Sequence, residues 1–279
     1  MIRSSYQIGH ILGIPIRIHF TLIAFLPLMA WYISSQIHLH YLFGLLSVVL
    51  LIASVAMHEL GHALVAKREG CGVQKILLLP IGGIAMLTHM PEQPAAEIRI
   101  AVAGPVVSLL LMLFSYAVAV LLGRVAPGPL ALVFTVLAGV NFMLVAFNLL
   151  PSFPMDGGRV FRALMTPRLG RLKATRIAST IGRGMAVLFG IIGLFGFNLM
   201  LVAIAIFLYH IAGAEYRMVR WQHLAERFKD HPAFRTPPLP MSDDEVVVGP
   251  PPYARNRDPQ AARPLRRRGI FDDLFGEGW

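Results

Sequence analysis

The 26 residues from Tyr41 to Ala66 carry a single formal charge, Glu59, and are long enough to cross a bilayer as one helix. Few architectures accept such a segment. The charge lies inside His58-Glu59-Leu60-Gly61-His62. Two imidazoles four residues apart on a helix differ by about 40° in rotation and roughly 6 Å in rise, so both address one point. A Zn²⁺ ion there takes His58 and His62 as ligands, and Glu59 stands beside its open position, where a carboxylate can accept a proton from bound water. Imidazole and carboxylate ligands favour zinc, and any hydrolysis would occur at membrane depth.

The rest of the chain supports a polytopic membrane protein. Of its 279 residues 56% are hydrophobic and 14% charged, against about 45–50% and about 25% in soluble proteins. The mean hydropathy is +0.64. Apolar residues come in blocks rather than in amphipathic alternation. A lone cysteine, Cys71, excludes an intrachain disulfide and a thiolate zinc cluster. The net charge of +10 comes from basic residues next to apolar blocks, which assigns them to membrane orientation rather than to nucleic acid.

Six spans are expected: His19–Ile33, Tyr41–Ala66, Ile98–Leu122, Leu130–Leu150, Gly184–Phe195 and Leu199–Ala214. The first is short, and so is the fifth unless it begins near Ile177. Gly13–Ile18 alternates as a short strand or an interfacial segment does. Val73–Pro80 and Ile84–Thr88 flank the turn signal Ile81-Gly82-Gly83 and predict a hairpin in or on the membrane. The fold class is thus all-α and polytopic, with a small membrane-associated β element. Residues 1–215 form the membrane core. Residues 216–279 read as a cytoplasmic tail, Pro- and Arg-rich and largely disordered; Ile270–Phe275 has the pattern of a short docking helix, but an uncommitted tail is the favoured reading.

Threading six spans from a cytoplasmic amino terminus puts every Lys and Arg except Arg124 on the cytoplasmic side, in agreement with the positive-inside rule. Both termini are then cytoplasmic, and His58 and His62 lie in the cytoplasmic half of the second span. The end of the fourth span reaches the same depth. A hydrolytic zinc site needs three protein ligands. In Asn148-Leu149-Leu150-Pro151-Ser152-Phe153-Pro154-Met155-Asp156-Gly157-Gly158-Arg159, two prolines break the helix and two glycines free the backbone behind Asp156. By itself Asp-Gly reads as turn chemistry. A carboxylate at the depth of the histidines reads as the third ligand. Gly104 and Gly139 read as ordinary helix-packing positions.

These motifs together resemble the site-2 protease family of intramembrane zinc metalloproteases, peptidase family M50. The likeness extends to Gly13–His19, Leu79–Ala85 and Ala103-Gly104-Pro105, and runs in the family's order from about Gly9 to Tyr209. It implies one Zn²⁺ per chain on His58, His62 and Asp156, with Glu59 as catalytic base and Asn148 near the substrate or the oxyanion. It also implies single-span membrane proteins as substrates, cut within the bilayer in regulated proteolysis. The chain has no room between its spans for a PDZ domain, and its tail is too short and polar for paired CBS domains. It is therefore most similar to the compact, sporulation-protease-like branch. A metal transporter is the competing class, but the polar membrane residues converge at one depth and leave no pathway across the other spans. A proteolytically silent regulator has little reason to keep Glu59.

Overall fold

The computed structural model describes residues 5–229 except 37, 81, 90 and 92. The chain begins with β1 (Ser5–Ile11) and β2 (Ile14–His19), continues through helices α1 (Phe20–Gln36) and α2 (Tyr41–Arg68), and returns to strands β3 (Val73–Leu79) and β4 (Gly82–Leu87). Five helices follow: α3 (Pro94–Val125), α4 (Pro129–Asn148), α5 (Asp156–Leu169), α6 (Arg171–Phe195) and α7 (Leu199–Lys229). Helices α2, α3, α4, α6 and α7 are long and apolar enough to cross a bilayer, and α1 is a shorter apolar helix. The polar tail beyond Lys229, including residues 270–275, lies outside the described residues.

The strands form one sheet in the order β1-β2-β3-β4, antiparallel at both ends and parallel between β2 and β3. Leu12 and Gly13, with φ of 52° and 80°, make the two-residue turn that joins β1 to β2. Alternate residues Ile14, Ile16, Ile76 and Leu78 point to one face and pack on Leu60 and Ala63 of α2 and on Leu22 of α1. The sheet therefore lies against the stretch of α2 that carries the two histidines. β4 is an edge strand beside that stretch.

Three elements differ from the expectation. The 13–18 strand and the 73–88 hairpin belong to a single sheet, completed by β1. Span five does begin early: α6 starts at Arg171, and its buried residues Ala174, Thr175, Ala178, Ser179, Gly182 and Ala186 form a helical stripe of small side chains. The arginines on its other faces hide that stripe from a reading of hydropathy. The sixth span continues as helix well past Ala214, to Lys229.

Candidate metal centre

His58 and His62 lie on the buried side of α2, at 4% and 7% exposure. Their Nε2 atoms are 3.2 Å apart, and their rings meet edge to face at 80°. Helix α3 runs alongside and holds both rings from behind. His62 Nδ1 lies 2.7 Å from the Ile100 carbonyl oxygen, and His58 Nδ1 lies 2.9 Å from Ser108 Oγ. A carbonyl oxygen only accepts, so His62 carries its proton on Nδ1 and, when neutral, its lone pair on Nε2. Midway between Ile100 and Ser108 stands Gly104, whose α-carbon faces the Nε2 atoms of both rings. A Cβ at that position would overlap them. Gly104 is thus more than a packing position, because the centre occupies the space its missing side chain leaves.

Asp156 is the first residue of α5 and is buried. Its Oδ2 lies 3.4 Å from His58 Nε2 and 3.2 Å from His62 Nε2. Two imidazole nitrogens and a carboxylate oxygen therefore converge at 3.2–3.4 Å. A tetrahedral ion with bonds of about 2.0–2.1 Å sets its ligand atoms about 3.3 Å apart. The donor set and the spacing both suit zinc, and these residues could hold such an ion.

The loop before Asp156 shapes this approach. Gly157 and Gly158 are the second and third residues of α5, so their value is space rather than irregular backbone. Any Cβ on Gly157 would strike the carbonyls of Leu149 and Leu150, and one on Gly158 would strike Ser152 and Phe153. The chain leaving α4 can fold back over the start of α5 only because both positions are bare.

Glu59 turns towards the sheet. Its Oε2 accepts the Ala85 backbone N–H at 3.0 Å, and Gly83 leaves room for its side chain. Asn148 ends α4, half-buried, and its side chain makes no hydrogen bond among the described residues. It stands outside the three-atom cluster.

Sequence reasoning passed over several contributors. Ser108 is fully buried, and Asn141 of α4 donates to Ser54 Oγ of α2 at 3.1 Å. Arg162 of α5 binds Glu97 of α3 and reaches Glu215 of α7 at 2.9 Å. Polar or charged residues within apolar stretches were the available signal.

The profile of peptidase family M50 matches residues 46–127 and 123–191. Over 246 residues the chain is 37% identical to zinc metalloprotease MJ0392 of Methanocaldococcus jannaschii, a match covering 86% of this chain and 70% of that relative. The chain belongs to peptidase family M50. The solved site-2 protease from Methanocaldococcus jannaschii superimposes with a TM-score of 0.57 at 38% identity, over 76% of this chain and 95% of that one. Rip3 of Mycobacterium tuberculosis is 35% identical over 203 residues, covering 69% of this chain but 52% of the relative, so the match spans about half of Rip3. Membership makes the chain a zinc metalloendopeptidase of the site-2 protease family, and its apolar helices make it a multi-pass membrane protein.

Proposed function

We propose that this protein is an intramembrane endopeptidase that cuts membrane-spanning segments of single-span proteins near the cytoplasmic face, in regulated proteolysis. His58, His62 and Asp156 hold one Zn²⁺ per chain, and both termini are cytoplasmic in the cell membrane. The observation that carries the proposal is the convergence of three buried acceptor atoms at 3.2–3.4 Å, two from α2 and one from the start of α5. Without a cation their lone pairs would oppose one another.

Held by His58, His62 and Asp156, a Zn²⁺ ion would supply Lewis-acid activation of a water and of the scissile carbonyl at neutral pH. Glu59 takes a proton from the attacking water and delivers it to the leaving amine. The Asn148 amide donates towards the developing oxyanion. Ser108 and the Ile100 carbonyl fix the two ring orientations. A substrate helix has bonded its carbonyls internally, so it must unwind first. Once extended, it finds new partners for its amides along the edge of β4.

The test incubates purified protein with tagged single-span substrates, with and without a zinc chelator, alongside Glu59→Gln. Glutamine still offers an oxygen to the Ala85 amide, so the variant should keep its metal and lose cleavage. Cleavage at the wild-type rate by Glu59→Gln, or its persistence after zinc is stripped, would overturn the proposal. A metal transporter would bind zinc and leave every substrate intact.

A further inference from the structure

A second polar site lies between α6 and α7. Arg176, Ser179, Thr180 and Arg183 follow one another at helical spacing along one face of α6, and Tyr216 and Arg220 stand one turn apart on α7. Together they line a cavity of about 590 Å³. Three guanidinium groups border it and no carboxylate does. Among the described residues none of the three forms an ion pair. Glu215, next to Tyr216 in sequence, is engaged by Arg162.

Arg183 makes the cavity more than a solvated charge cluster. Its guanidinium carbon stacks 5.4 Å from the centre of the Tyr209 ring, and the group lies against the bare α-carbon of Gly213. Its Nε is buried with no hydrogen-bond partner. A long cationic side chain that served orientation alone would carry its head into water. The hydroxyls are already committed as donors, Ser179 to the Ala212 carbonyl at 2.6 Å and Thr180 to the Arg176 carbonyl at 2.9 Å. The donors left over belong to arginines and to the phenol of Tyr216. Planar guanidinium forks match the oxygens of a phosphate.

The site also has a defined depth. The apolar part of α7 ends near Ala214, less than two turns before Arg220, and Trp221 beyond it is 71% exposed, as aromatic residues at a membrane interface are. The geometry points to a binding site for an anionic phosphate group, the headgroup of an acidic phospholipid, seated between α6 and α7 at the membrane boundary. The cytoplasmic leaflet, where the basic residues place this boundary, is the one rich in such lipids. The site shares no residue with the metal centre, so its test is independent of proteolysis.

The experiment measures lipid adducts by native mass spectrometry, and thermal midpoints, on the full chain in detergent. Phosphatidylglycerol, zwitterionic phosphatidylcholine and inorganic phosphate are added separately. Phosphatidylglycerol should bind saturably and stabilise, and Arg176→Gln/Arg220→Gln should weaken it about tenfold or more. Both positions are exposed, so the variant keeps its packing. The control Arg68→Gln/Arg168→Gln removes two exposed charges elsewhere and should leave binding within about twofold. Stabilisation by inorganic phosphate alone, lost in the site variant, would keep the site and name a soluble anion as its ligand. Equal binding of both lipids, full binding by the site variant, or equal loss in the control would overturn the inference.

Discussion

Arg162 grips Glu97 across a sequence separation of 65 residues, with Nε at 2.7 Å from Oε1 and a second guanidinium nitrogen on the same oxygen. The arginine is 1% exposed and also stacks 4.9 Å from the Phe153 ring. One side chain on α5 thus fixes the start of α3, the loop before Asp156 and, through Glu215, α7. Removing the cation strands two carboxylates. Arg162→Met is expected to cost about 3–5 kcal/mol and to release zinc, because the helix that begins at Asp156 loses its anchor. Arg162→Lys keeps the charge without the fork and should fall between. Thermal midpoint and metal content of the purified variants check both.

Gly104→Ala tests the space in front of the histidines. A methyl group there meets both Nε2 atoms, and the strain of about 1–3 kcal/mol should appear as metal affinity weaker by about tenfold or more. Gly139, with nothing within 4 Å of a Cβ, is the matched control. Gly139→Ala should bind zinc normally. Competition with a chelator reads both, and unchanged affinity in Gly104→Ala would refute the close approach.

Ser108→Ala leaves His58 Nδ1 without its partner. Outer hydrogen bonds to ligand imidazoles are worth about 10–100-fold in metal affinity. The variant should retain its helical circular dichroism and lose zinc within that range. Ser108→Thr, which restores the hydroxyl, should recover part of the loss.

A substrate whose span carries a Pro or Gly near the cut should be processed faster than the same span made of leucines. The two residues cost a helix interior about 3 and about 1 kcal/mol relative to Ala, which lowers the work of unwinding. Initial rates on matched substrates decide this, and equal rates would show that unwinding does not limit cleavage.

Much of the centre was legible because its residues break local rules. His58, Glu59 and His62 stand in an otherwise apolar helix, and Asp156 follows two prolines at the same depth. Spacing along one helix fixes where its side chains point, so α2 could be read directly. The supports were less legible because each depends on a neighbour. Nothing around Gly104 says that two imidazoles will lie over it, and Arg162 resembles the other arginines of a basic stretch until α3 and α7 close around it. β1 was missed because a mostly exposed strand at a sheet edge carries little periodicity. The start of α6 at Arg171 was missed, with only a conditional start near Ile177 in view, because its buried stripe is built from Ala, Ser, Thr and Gly.

The hydrogen bond between Glu59 and Ala85 has a consequence for timing. A backbone amide has one proton to give, and this one points away from β3 towards the carboxylate. Any strand that docked there and claimed that proton would release Oε2 at the same moment. Arrival of an extended chain would then change the hydrogen bonding of the carboxylate proposed as base, whose Oε1 makes no hydrogen bond among the described residues.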